Sequence, residues 1–120
     1  ILLIGDAAGF VSPIGGDGIY YGMCSGRLAS EVAENAVEMD VFTPSALSVY
    51  QRKWYNLWGK DLEALCYFAD MVFKRTEQII CYASKDENLR EMAVGLYNGD
   101  CKPSKAKLKI QTRMARDFFL

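Results

Sequence analysis

Apolar and polar positions along this chain repeat with a helical period over most of its length, and the exception comes first. Ile1–Ile4 is apolar at every position, the pattern of a short strand buried on both faces of a parallel sheet. One strand leaves its own N–H and C=O groups unpaired, so it needs neighbours that the chain does not obviously supply. Gly5 to Gly16 has no period, because glycines, Ser12 and Pro13 break it, and it reads as a loop. From Asp17 to about Met39 the pattern predicts a helix with a buried stripe of Ile19, Met23, Leu28, Val32 and Ala36. Gly22, Ser25, Gly26 and Ala29 let another segment pack closely against it.

Thr43 is a good N-cap and Pro44 suits the first helical position. Beyond it, Leu47, Tyr50, Trp54, Leu57, Trp58, Leu62, Leu65, Phe68, Ala69 and Val72 recur at helical spacing. They predict helix from Ser45 to about Arg75, kinked or divided at Gly59. A further helix is expected over Thr76 to Ala83. Another opens at Asp86 and runs to about Tyr97, where Asn98–Asp100 stops it. Pro103-Ser104 leads into a last basic helix, roughly Lys105 to Phe119.

The length of 120 residues allows one domain at most. No apolar run approaches the ~20 residues that span a bilayer. Ile1–Ile4 is too short for the apolar region of a signal peptide and lacks a basic flank. The net charge of −1 is unevenly spread. Residues 1–40 carry six acids against Arg27, and residues 101–120 carry six bases against Asp117. The basic end is either a solvated helix face or a tail for an anionic partner. With Phe118-Phe119-Leu120 at its end it suggests contact with an anionic membrane surface, although Gln111 and Thr112 spoil a clean amphipathic face.

Histidine is absent, which removes a His-based triad or general base from this chain. Cys24, Cys66, Cys81 and Cys101 form no C-x-x-C pair, so a metal site is not expected. Scattered thiols on mostly apolar segments suit a reducing compartment, and a cytoplasmic location is expected.

The chemistry is concentrated near the start. Gly5 ends the apolar run and Asp6 follows, where a carboxylate can accept hydrogen bonds from sugar or polyol hydroxyls above the strand end. Ala7, Ala8 and Gly9 keep side chains away from an approaching ligand. Gly15, Gly16, Asp17 and Gly18 then meet a helix start, whose unpaired N–H groups and dipole suit negative charge. A polyol-reading acid followed by an anion-accepting helix start suits a flavin lying along the loop. Taken singly, the Gly-Asp pair is as well explained by a turn, and the glycines by a tight helix entry.

The stretch IGDAAGFVSPIGGDGIYYGMCSGRLASE, Ile4 to Glu31, resembles the second FAD-binding motif of the geranylgeranyl reductase family. That family lies within the flavoproteins similar to p-hydroxybenzoate hydroxylase. YQRKW from Tyr50, VFKRT from Val72 and the stretch around LREMAVGLY more weakly resemble the helical C-terminal region of the same reductases. The resemblance implies an α/β parent flavoprotein fold with a Rossmann-like FAD domain. This chain would be its mainly α-helical C-terminal fragment, beginning with one strand. Residues 1–40 would form a strand-loop-helix closing part of the FAD-binding domain, and residues 41–120 a helical C-terminal region.

By position, the resemblance implies that Asp6 hydrogen-bonds the ribitol or the adjoining pyrophosphate region and that Gly5 is among the cofactor-binding residues. Ala7, Ala8 and Gly9 would line the FAD diphosphate and Pro13 would sit near the flavin ring. Gly15, Gly16, Asp17 and Gly18 would present N–H groups to the pyrimidine side. The Asp17 carboxylate would repel an anionic flavin, so it is expected to face away and cap the helix. The G-x-G-x-x-G turn of such a fold is absent from this sequence and would lie N-terminal to Ile1, in the remainder of the parent chain. Alone, the chain is expected to bind FAD weakly and to be inactive.

The implied reaction is saturation of isoprenoid double bonds in a lipid by hydride from reduced flavin, with NADPH or ferredoxin as electron donor. No catalytic residue is assigned; the proton donor is a residue elsewhere in the parent, water or a tyrosine. Tyr50, Trp54, Trp58, Phe68 and Phe73 either wall a tunnel for the isoprenoid lipid substrate or form an ordinary helical core. Nucleic acid is not an expected partner. Two other readings stay open: a flavin-dependent monooxygenase of the wider group, and an isolated helical module with no activity of its own.

Overall fold

The computed structural model describes the backbone of residues 1–118 and the side chains of residues 1–112. A single 3-10 turn, Gly5–Ala8, is followed by helix α1, Ile19–Glu38. Helix α2 is Pro44–Trp54, a π turn occupies Tyr55–Gly59, and α3 is Lys60–Lys74. Helices α4, Thr76–Lys85, α5, Glu87–Asn98, and α6, Pro103–Phe118, complete the described chain. Two compact units result, Ile1–Leu62 and Glu63–Leu120.

The chain is mainly helical as expected, but the expected opening strand is not formed. Ile4 has the extended dihedrals of a strand, φ −130° and ψ 158°, yet no strand exists among the described residues. A ladder needs a second extended segment, and every other regular element here is a helix. Ile1, Leu3 and Ile4 are accordingly exposed. What fixes this segment is a side chain: the buried Tyr50 on α2 donates its hydroxyl hydrogen to the Leu3 carbonyl at 2.8 Å.

Helix α1 packs on α2 and on the 3-10 turn. Its buried stripe is Ser25, Leu28, Val32 and Ala36. Ile19 and Met23, expected in that stripe, are instead 78% and 73% exposed. The five-residue step from Met23 to Leu28 turns the helix face by about 140°, so the two residues point away from the stripe. The small residues act as expected: a Cβ on Gly5 would lie 3.4 Å from the Gly22 Cα, and one on Gly26 4.0 Å from the Ile4 side chain. Leu28, Val32, Ala36, Tyr50, Trp54 and Leu62 are the buried apolar residues of this unit.

Thr43 caps α2 as predicted, its hydroxyl accepting from the Ala46 N–H at 3.2 Å. The long helix predicted from Ser45 is divided where Gly59 falls. A Cβ at Gly59 would lie 2.7 Å from Tyr55 Cδ2 and 3.3 Å from Tyr55 Cβ, so any larger residue there would have to push the Tyr55 side chain aside.

In the second unit, Ala64, Phe68, Leu89, Ala106 and Ile110 form a core, with Met71, Tyr82, Met92 and Leu96 against it. Asp86 caps α5 by accepting from Leu89 N–H at 3.2 Å, and Gly99 ends that helix in the left-handed region. Phe68 is therefore core, while Phe73 is 77% exposed. Phe119, the expected end of the last helix, and Leu120 lie outside the described residues, as do the side chains of the basic end beyond Thr112.

Candidate functional site

The glycine-rich segment is assembled by three sets of contacts, all within residues 1–62. In the first, Gly5 takes a left-handed φ of +54° and Gly9 one of +73°, conformations that glycine adopts without cost. They close the 3-10 turn: Gly9 N–H donates to the Asp6 carbonyl at 2.9 Å and Phe10 N–H to the Gly5 carbonyl at 3.1 Å. In the second, Ser12 N–H donates to the Asp17 carbonyl and Gly16 N–H to the Ser12 carbonyl, both at 2.9 Å. Gly15 N–H points at the Ser12 hydroxyl at 3.4 Å. In the third, Ser25, fully buried on α1, accepts from Gly5 N–H at 3.0 Å and donates to the Gly22 carbonyl at 3.0 Å.

These contacts bring the two halves of the segment together. A Cβ on Gly18, the residue that opens α1, would sit 2.6 Å from Asp6 Oδ1 and 3.3 Å from Val11 Cγ2. The exposed Asp6 carboxylate therefore lies against the entrance of α1, a dozen residues away in sequence, and glycine is what admits it. Asp17 behaves as expected of a capping acid, accepting from Ile19 N–H at 3.2 Å. The expected outward N–H groups are fewer. Those of Gly15 and Gly16 turn inward on Ser12, whereas those of Asp17 and Gly18 enter none of the loop's bonds.

Ala7 is exposed, and Ala8 and Pro13 are half-buried. Nothing lies within 4 Å of the Cβ positions of Gly9, Gly15 or Gly16. The loop thus offers open backbone at three glycines, two exposed carboxylates, Asp6 and Asp17, the second already bonded to Ile19 N–H, and the start of a twenty-residue helix. This donor and acceptor set fits one side of a dinucleotide: hydroxyls for the Asp6 carboxylate, negative charge for the helix start.

An aromatic cluster adjoins the loop. Phe10 stacks on Trp54 with ring centroids 3.8 Å apart, and Trp54 meets Trp58 at 4.9 Å and the edge of Tyr21 at 6.1 Å. Tyr20 meets Tyr21 edge-on at 5.4 Å and accepts a hydrogen bond from Trp58 Nε1 at 3.3 Å. Burial raises the Tyr21 phenol above its ordinary value, with the Asp61 carboxylate adding to the effect. Trp54 and Trp58 are brought together with the loop as a packed wall, whereas Phe68 serves the core of the other unit. The sequence alone did not single out Ser25 as a hydrogen-bonding anchor or Phe10 as a stacking partner. The only signal for Ser25 was its place in a run of small residues, and for Phe10 its isolation in a loop of small ones.

Among the described residues no helix is long and apolar enough to cross a membrane, and no cluster of His, Cys, Asp or Glu is arranged to hold a metal ion.

Comparison with known proteins gives a consistent set of relatives. The chain is 37% identical over 93 residues to digeranylgeranylglycerophospholipid reductase 1 of Methanopyrus kandleri, covering 77% of this chain and 25% of that protein. It is 41% identical over 75 residues to reductase 2 of the same organism, 59% of this chain and 19% of that protein. With the digeranylgeranylglycerophospholipid reductase of Methanocaldococcus jannaschii it shares 43% over 54 residues, 45% of this chain and 14% of that protein. The chain thus spans a quarter or less of the length of these curated relatives. No protein-family model and no solved structure matches it.

Proposed function

Since the chain belongs to the geranylgeranyl reductase family, we propose that it forms part of the flavin site of an FAD-dependent reductase of isoprenoid lipids. The parent would be an α/β flavoprotein with a Rossmann-like domain, to which residues 1–40 contribute the closing loop and helix. Its substrate would be a lipid carrying geranylgeranyl chains, the substrate class named in the relatives. Bound FAD, once reduced, supplies the hydride that saturates a carbon–carbon double bond.

This chain's own residues hold and orient. The Asp6 carboxylate accepts from ribitol hydroxyls or the adjoining pyrophosphate region, with Gly5 setting its direction. Ala7, Ala8 and Gly9 let the diphosphate lie close to the backbone, and Pro13 borders the ring. Asp17 and Gly18 offer N–H groups to the electron-rich pyrimidine side, at the positive end of α1. Ser12 draws in the N–H groups of Gly15 and Gly16, so those two glycines contribute room.

The observation that carries this reading is the approach of Asp6 Oδ1 to within 2.6 Å of a Cβ on Gly18. It joins the polyol-reading and anion-accepting ends of one motif at a single place. The test uses the full-length parent. Gly18→Ala moves the carboxylate aside without removing its charge, and Asp6→Ala removes it. Both are expected to lower the FAD retained on purification at least tenfold, read from flavin absorbance per protein. Asp17→Ala, which removes only a capping bond, keeps its FAD. Equimolar flavin in the Asp6 and Gly18 variants sinks the reading.

A further inference from the structure

The proton that must accompany the hydride has no histidine in this chain to come from. We propose that Tyr20 is the proton donor to the isoprenoid double bond, held for that task by Trp58; this rests on the reductase reading above. Three observations place it there.

The first is the direction of one hydrogen bond. Trp58 Nε1 donates to the Tyr20 hydroxyl oxygen at 3.3 Å. An indole N–H has no acceptor capacity, so this bond fixes the phenol oxygen and leaves its hydrogen to be given elsewhere. The same N–H stays in place when the oxygen becomes negative, and a bond to a charged oxygen is the stronger kind.

The second is position. Tyr20 is the second residue of α1, two after the Gly18 entrance where Asp6 sits. Trp58 projects from the π turn, and such one-turn insertions are frequent at functional sites.

The third is the character of the surrounding face. Ile19, Tyr20 and Met23 share one side of the first turns of α1 and are 78%, 54% and 73% exposed. They lie opposite the buried stripe of Ser25, Leu28, Val32 and Ala36. Further along, that outer side turns polar with Arg27, Ser30 and Glu34. The apolar group beside the loop contains one hydroxyl, that of Tyr20, and the next large apolar residue exposed on this side is Val37, at 65%, near the far end of the helix. A prenyl chain is the ligand with matching chemistry.

The step balances. One alkene carbon gains hydride from the reduced flavin, and the π bond pair forms a C–H bond to the Tyr20 hydrogen at the neighbouring carbon. The Tyr20 O–H bond breaks, its electron pair stays on oxygen, and that exposed oxygen recovers a proton from water.

The experiment uses the full-length, FAD-loaded protein, reduced and then mixed with a geranylgeranylated glycerophospholipid. Tyr20→Phe is expected to keep its FAD and its rate of flavin reduction, but to slow reoxidation by the lipid about 100-fold or more, the range of general acid catalysis. Trp58→Phe slows it about tenfold, a loss on the scale of one hydrogen bond to a charged group. Independently of turnover, the Trp58 indole proton resonance in nitrogen-15 spectra moves when Tyr20 becomes Phe. Wild-type reoxidation by Tyr20→Phe with an unchanged solvent deuterium isotope effect assigns the proton to water and overturns the proposal. So does an indole resonance that does not move. Failure of the wild type to hold FAD, or to reduce any prenyl lipid, overturns the reductase reading itself, while the resonance still reports whether the Tyr20–Trp58 bond exists.

Discussion

Residues 1–62 and residues 63–112 reach order by different means. The second unit is held by apolar contact: Ala64, Phe68, Leu89, Ala106 and Ile110 are buried together, and helix caps such as Asp86 finish the ends. The first unit must also fix a segment of small residues that brings few large side chains of its own. It does so with groups sent out from the helices. Tyr50 holds the Leu3 carbonyl, Ser25 holds the Gly5 N–H, and Trp54 covers Phe10. A loop of small residues buries little surface of its own, so its order comes from the scaffold.

The sharpest way to break this comparison is to remove one large buried ring from each unit. Trp54 is 4% exposed and Phe68 3%. Truncating either to Ala costs about 3–5 kcal/mol, the range for buried aromatic residues. The consequences differ in kind. Phe68→Ala leaves a cavity in the core it shares with Ala64, Leu89, Ala106 and Ile110 and lowers the denaturation midpoint of its unit. Trp54→Ala also strips the face on which Phe10 stacks, so amide exchange at Gly9, Phe10 and Val11 accelerates beyond what the lost stability explains. Hydrogen exchange by mass spectrometry separates the two; unchanged loop protection in Trp54→Ala shows that the stack does not hold the loop.

A smaller and more local effect sharpens the same point. Ser25 has no exposed surface, and its hydroxyl serves both Gly5 and Gly22. Ser25→Ala leaves the Gly5 N–H without this acceptor, at about 1–3 kcal/mol. The expected signature is exchange at Gly5 and the 3-10 turn rising more than exchange in the middle of α1. Ser25→Thr retains the hydroxyl but crowds the close approach of Gly5 to Gly22, so it is not expected to restore the contact. Equal protection in wild type and Ser25→Ala means the hydroxyl is incidental.

The helices were legible because their signals are local. Thr43-Pro44, Asp86 and the glycine of Asn98–Asp100 mark starts and stops that the structure keeps. The break at Gly59 was legible too, since a glycine interrupts an otherwise continuous period. The expected opening strand does not form, because an apolar run states a tendency to be buried but not a partner to pair with. Ile19 and Met23 fall outside the α1 stripe because the helix face turns between Met23 and Leu28, which apolar character alone does not encode. The glycine-rich segment was recognisable as a motif. Its internal economy was not, because nothing in the order of residues says that Ser12 would claim the N–H groups of Gly15 and Gly16, or that Asp6 would fold against Gly18. Those contacts depend on left-handed backbone at Gly5, Gly9 and Gly16 acting together.

Tyr50 gives the smallest effect at neutral pH and one that grows with alkali. Burial raises its phenol above the ordinary value of 10.0, while the Ser25 hydroxyl pulls in the lowering direction. In the unfolded chain the phenol loses its proton near that ordinary value; in the folded chain it still holds it. Between the two values the folded state binds more protons, so stability falls as pH rises through that window. Below pH 10 the contribution is complete. Tyr50→Phe removes the bond to Leu3, whose carbonyl lies near the surface and can turn to water, so the cost at pH 7 is about 1 kcal/mol. The variant also lacks the titrating group, so its stability declines less steeply above pH 10. Tyr21, raised by burial and then by Asp61, titrates in the same direction and remains in both proteins. Denaturant midpoints at pH 7 and above pH 10 measure the difference. Parallel curves for wild type and Tyr50→Phe mean that the Tyr50 hydroxyl is solvated in the folded protein, and that the opening segment is not tied to α2 through it.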